Sequence, residues 1–129
     1  MRLGLGVAVA GVIGALAACP DRPSCVSSQA PPGRHAIEGF ELVAGGSLEA
    51  LVEWIAGASG ARLESQSASR AHFVFRSRVL GFKDDLELLV EDRLVAVRSC
   101  SRVGYWDLGA NRRRVEGLRR GLRRAGLIQ

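Results

Sequence analysis

Apolar and polar positions along the chain change period several times, and each change marks an element. Ile37, Phe40, Leu42 and Ala44 fall in near alternation and predict a first strand over Ala36–Ala44. Gly45-Gly46 breaks it. Ser47 then caps a helix whose apolar residues Leu48, Leu51, Val52, Ile55 and Ala58 recur at helical spacing, with Gly57 and Gly60 at its end. Arg62–Ser67 is an edge-strand candidate. Ala71–Val79 is a fuller strand, with Phe73, Phe75, Ser77 and Val79 on one side and His72, Val74, Arg76 and Arg78 on the other. Leu86–Glu91 and Leu94–Ser99 flank Asp92-Arg93, which can close a two-residue hairpin. In that register Leu88 faces Val97 and Val90 faces Val95 on the core side, while Glu87 faces Arg98 on the other.

The last periodic segment is a helix with Val115, Leu118, Leu122 and Ala125 on one face. Arg112, Arg113, Arg119, Arg120, Arg123 and Arg124 cover most of the rest, with Glu116 the lone acid. Gly117 and Gly121 each lower its intrinsic stability by about 1 kcal/mol, so tertiary packing must hold it. The elements predict an α+β fold: a single antiparallel sheet of four to five strands with two helices packed on one face. Residues 35–129 would form that one domain.

Composition adds a bias in charge. The chain is 47% hydrophobic and 24% charged with a formal net charge of +5, values of a globular protein rather than a disordered one. Lys83 is the only lysine; the remaining cations are arginine, which suits bidentate contact with carboxylates and phosphates. Such a balance permits anionic lipid or acidic polymers as partners. Nucleic acid is not expected as a partner, and no cofactor is.

The opening residues change the picture of where the protein works. Met1-Arg2 precedes an uncharged run, Leu3–Ala18, which as a helix would reach roughly 24 Å, short of the ~30 Å hydrocarbon core. Gly4, Gly6, Gly11 and Gly14 weaken it further as a spanning helix. Residues 1–18 therefore read as a signal peptide or membrane-targeting segment. Leu16-Ala17-Ala18-Cys19 is similar to a bacterial lipobox, which makes Cys19 a candidate for lipidation and the protein an exported lipoprotein of the cell envelope, on the periplasmic side of a membrane. Residues 19–34 form a Pro-, Ser- and Gly-rich lead-in in which Cys19 and Cys25 are alternatively spaced for a small disulfide loop. A zinc site from Cys19, Cys25 and His35 lacks the paired Cys-x-x-Cys halves, so no metal is expected.

The candidate chemistry gathers late in the chain. The hairpin register brings Asp84 opposite Ser101 and Asp85 opposite Cys100, close to Arg98 and Arg102. Gly104 supplies a turn, and Asp107 is a candidate N-cap for the final helix, whose start offers free N–H groups to an anion near Arg112–Arg114. Tyr105 and Trp106 either wall such a pocket or plug the edge of the core.

Three blocks carry a resemblance: C-P-D-R-P-S-C-V-S-S-Q-A at 19–30, the F-x-F-R-S-R-x-x-G-F-x-D-D-x-E run from Phe73 to Glu87, and R-S-C-S-R-V-G-Y-W-D-L-G-A-N-R-R-R-V-E at 98–116. In this order they resemble the domain-of-unknown-function family numbered 1499. The chain departs from the usual family pattern at Ser24, where P-N-C is common, and at Cys100, where S-A-S-R is common. The resemblance implies no activity. It implies that Asp84, Asp85, Arg98, Ser101, Arg102, Tyr105, Asp107, Asn111 and Arg112 share one site or one structural knot. The functional expectation is an envelope-associated, non-catalytic module binding a partner or anionic ligand there, tethered to a membrane at its N-terminal end, with the arginine-rich helix in contact with anionic lipid. The alternative is a hydrolase-like enzyme using Asp84 or Asp85 as general base.

Overall fold

The Asp92-Arg93 hairpin stands at the middle of the sheet. A computed structural model describes residues 14–77 and 81–129. In chain order the elements are β1 (Cys25–Ser27), β2 (Phe40–Glu41), α1 (Leu48–Ala56), β3 (Ala61–Gln66), β4 (Arg70–Arg76), β5 (Lys83–Glu91), β6 (Leu94–Ser101) and α2 (Ala110–Arg124). Every strand pair is antiparallel, and the order is β1-β6-β5-β4-β3 with β2 also paired to β6. Leu88 faces Val97, Val90 faces Val95 and Glu87 faces Arg98, the register that the apolar alternation demands.

The sheet has six strands, more than the four to five expected. The extra one, β1, comes from the lead-in: three residues are too short to show a period, yet Val26 is buried against the core. The lead-in is thus part of the domain. The strand expected over Ala36–Ala44 shrinks to Phe40–Glu41, because its neighbours turn to other partners: Ala36 bridges to Ser27 and Leu42 to Ile128. β4 ends at Arg76, leaving Ser77 beyond it, while Arg78 and Val79 lie outside the described residues.

Alternation sorts the sheet into two faces. Ala71, Phe73 and Phe75 of β4, Leu86 and Leu88 of β5, and Val95 and Val97 of β6 point to one side, where Leu51 and Ile55 of α1 and Val115 and Leu122 of α2 close a single core. Both helices thus lie on one face. Ser47 caps α1 by accepting the Ala50 N–H at 3.2 Å. The two helices meet where Trp54 lies against Gly121; a methyl group at that glycine would clash with the edge of the indole ring.

The opposite face is crossed by the end of the apolar N-terminal run. Leu16 is buried there, and its N–H donates to the Gln29 side chain at 2.7 Å. Arg70 donates to the Ala15 carbonyl at 2.6 Å and Arg98 to the Ala18 carbonyl at 3.3 Å. No helix among the described residues is long and apolar enough to cross a membrane.

Candidate functional site

Adjacent residues of a strand point to opposite faces, and this splits the expected cluster in two. Asp84 points toward α2 and Asp85 toward the open face. The nine residues therefore do not form one site. Eight of them fall in a buried knot, an ion-paired patch and an exposed loop.

The knot is built around Asn111. Its side chain is fully buried, with Oδ1 accepting from Ser99 Oγ at 2.6 Å and Arg114 Nη1 at 3.0 Å. Its Nδ2 lies within hydrogen-bond distance of the Ser24 carbonyl (3.1 Å), Ser101 Oγ (2.8 Å) and Asp107 Oδ2 (2.7 Å). One amide thereby joins the entry to β1, the end of β6 and the start of α2. Arg114 also pairs with Asp84 Oδ2 at 2.8 Å and lies over the Phe75 ring, 4.8 Å from its centroid. Polar groups this buried must be mutually satisfied, and they are.

The N-cap position of α2 is Gly109 rather than Asp107. Gly109 has no side chain to offer, and Leu108 and Gly109 both lie in the left-handed region. Asp107 does the capping from two residues earlier: Oδ1 accepts the Gly109 N–H at 2.8 Å and Oδ2 the Asn111 N–H at 2.9 Å. Burial pushes its carboxyl up, but these donors outweigh that and hold it below its ordinary value. The helix start is filled by the protein's own carboxylate.

On the open face, Asp85 receives Arg102 Nε and Nη2, each at 3.0 Å, and His72 Nε2 lies 2.7 Å away. Partial burial raises the Asp85 carboxyl, yet the hydrogen bonds from Arg102 and His72 and their charges bring it below the usual range. Glu87 and Arg98 pair at 3.1 Å in the next row. Nε of Arg98 is buried without a hydrogen-bond partner among the described residues.

Arg102 also reaches an open cleft of about 770 Å³ where β4 ends and β3 and β5 begin. Arg62, Arg76, Lys83 and Arg102 line it together with Glu64, Ser77 and Val74. Arg62 pairs with Glu64 at 3.6 Å and Arg102 with Asp85, which leaves Arg76 and Lys83 as the cations of the cleft without a carboxylate partner among the described residues. Asp85 is not among the lining residues.

Tyr105 and Trp106 do not plug the core edge: both project into solvent, as do Val103 and Leu108, and neither lines this cleft. Arg112 stands apart too, donating to the Arg34 carbonyl at 3.0 Å.

Cys19 and Cys25 are joined in a disulfide with their Cα atoms 5.7 Å apart. This is the second of the two alternatives for Cys19, and it excludes a thioether on the same sulfur. His35 Nδ1 sits 2.9 Å from the Cys25 carbonyl oxygen. Cys100 lies directly across from Cys25 as a free, buried thiol, its pKa raised chiefly by burial.

A family model, Protein of unknown function (DUF1499), matches residues 15–122. The chain belongs to the DUF1499 family. No curated protein matches it, and no solved structure does.

Within this DUF1499 domain, the arginines of α2 are less free than their spacing suggests. Arg119 is buried, donating to the Gly39 and Glu38 carbonyls at 2.7 Å each and to Glu116 at 2.8 Å. Arg123 donates to the Gln129 carbonyl at 2.9 Å. Of the four cations in the basic cleft of the DUF1499 chain, only Arg102 is among the sequence-based candidates. Arg62, Arg76 and Lys83 lie on three different strands, and only the pairing of β3 with β4 and β4 with β5 brings them together. Lys83, the lone lysine, is the only visible signal.

Proposed function

We propose that this DUF1499 domain is a non-catalytic module of the cell envelope that binds an anionic ligand in the cleft lined by Arg62, Arg76, Lys83 and Arg102. Arg76 and Lys83 carry the reading: they stand in the open cleft without a carboxylate partner among the described residues, beside Arg62, paired with Glu64 at 3.6 Å, and Arg102, shared with Asp85. Guanidinium groups present fork geometry suited to phosphate or carboxylate oxygens. Export supports an envelope location: the apolar run reads as a targeting segment, and a Cys19–Cys25 bridge suits an oxidising compartment. Membrane attachment through residues 1–18 belongs to the same proposal, and so does contact of anionic lipid with the exposed arginines of α2.

A hydrolase reading finds less support. Asp84 is engaged by Arg114 inside the fold, and Asp85 is held by Arg102 and His72 with its carboxyl below the usual range. A general base works best with a pKa near the operating pH, so a lowered carboxylate is a weak one.

Calorimetric titration of the full chain with pyrophosphate tests the proposal. Binding that weakens on Arg76→Gln or Lys83→Gln, and with added salt, is the expected result. Absence of binding at low salt, or binding indifferent to both substitutions, contradicts it.

A further inference from the structure

At the end of the sheet that holds the cleft, large apolar side chains stand in water. Val103, Tyr105, Trp106 and Leu108 are 61, 64, 67 and 65% exposed, all on the loop from β6 to α2. Phe82, 55% exposed, precedes β5. The Arg102 N–H donates to the Lys83 carbonyl at 3.1 Å, which ties the start of this loop to the start of β5. Large exposed apolar groups gathered on one short loop mark interaction surfaces.

The loop backbone is pinned. Arg22 Nη1 and Ser24 Oγ donate to the Gly104 carbonyl at 2.6 and 3.0 Å, and the Asp107 carboxylate holds the following turn. Leu108 keeps a φ of 58°, a conformation that disfavours branched side chains, with its own side chain outward. The fold holds these groups in solvent at a conformational cost that burial within the domain does not offset.

Cations border the patch. Arg102 begins the loop, Lys83 is hydrogen-bonded to it through the backbone, and Arg113 donates to the Leu108 carbonyl. Asp107, the one acid of the loop, is consumed by the helix turn. Tyrosine and tryptophan favour the membrane–water interface, and arginine and lysine are drawn to an anionic leaflet. A second copy of this chain fits poorly, since the same basic border on a molecule of charge +5 would repel it. We infer that this end of the molecule docks on an anionic lipid bilayer, with Val103, Tyr105, Trp106 and Leu108 entering the interface while the Arg62–Arg76–Lys83–Arg102 cleft takes a phosphate-bearing headgroup. This rests on the anion-binding reading of the cleft and names its ligand class.

The test follows Trp106 in the full chain mixed with vesicles of phosphatidylglycerol or of phosphatidylcholine. A Trp106→Phe variant separates its emission from that of Trp54. The apolar run 3–18 can itself enter vesicles, so insertion of Trp106, not co-sedimentation, is the readout. On phosphatidylglycerol its emission shifts to the blue and is quenched by acyl-brominated lipid, with a much smaller change on phosphatidylcholine. Lys83→Gln and Arg76→Gln each weaken the transition by about fivefold. Leu108→Asn weakens it while preserving or raising stability, because asparagine tolerates the left-handed backbone. Trp106 left fully accessible to acrylamide on phosphatidylglycerol, equal insertion into neutral vesicles, or burial of Trp106 by self-association without lipid would overturn the inference. If pyrophosphate still binds while Trp106 stays in water, the cleft reading stands and the bilayer fails; if neither occurs, both fail.

Discussion

Asp84 and Asp85 are neighbours in sequence with opposite surroundings, and the substitutions that separate them are simple. Asp84→Asn leaves Arg114 without its counter-charge inside the knot and should cost about 3 kcal/mol by denaturant unfolding. Asn111→Ala should cost about 2 kcal/mol, since it strands the Ser24 carbonyl and the Ser101 hydroxyl. By contrast Glu41→Gln breaks a solvent-exposed pair with Arg93 and should cost less than about 1 kcal/mol. Equal losses for Asp84→Asn and Glu41→Gln would remove the distinction between the knot and the surface. Acid sensitivity follows from the same residues. Asp107 and Asp85 have carboxyls below their ordinary values when folded, so their contribution is complete above the unfolded pKa of about 3.9 and is lost as pH falls through the folded values. Stability should drop below about pH 4, and Asp107→Asn should make that drop shallower. An unchanged slope would show that Asp107 is not a capping carboxylate. From sequence, Asn111 is legible only as one member of a motif. Its contacts on Ser101, Ser99 and Ser24 lie 10, 12 and 87 positions away, and no local period encodes them.

At the scale of elements, the hairpin and both helices can be read directly because their apolar periods are long and two-sided. β1 escapes such a reading because it has three residues, and the loop aromatics defeat it because aromatic rings are usually buried. The glycines of α2 show the limit of propensity. A methyl group at Gly117 would meet only the far end of Arg120, whereas Gly121 accommodates the Trp54 ring. Gly117→Ala should therefore stabilise by up to about 1 kcal/mol, and Gly121→Ala should destabilise by about 1–3 kcal/mol through overpacking. Thermal melts of the two variants check this. Equal stabilisation by both would mean that α1 and α2 do not meet at Gly121.

For the whole molecule, positive charge stands both on the C-terminal helix and at one end of the sheet. The arginine run of α2 is conspicuous in sequence because it is contiguous, yet Arg114 and Arg119 spend their guanidinium groups inside the fold. The residues that face an open cleft come from β3, β4, β5 and the residue just past β6, and sequence separation hides them. A cleft in which Arg76 and Lys83 stand without a carboxylate partner among the described residues is the basis of the anion-binding account. Its most direct test is an amide shift map of the 15N-labelled chain titrated with pyrophosphate at low salt. The account predicts saturable shifts centred on Arg62, Arg76, Ser77, Lys83 and Arg102, abolished or much reduced in Arg76→Gln/Lys83→Gln. Shifts centred instead on the exposed arginines of α2, or none at all, would contradict it.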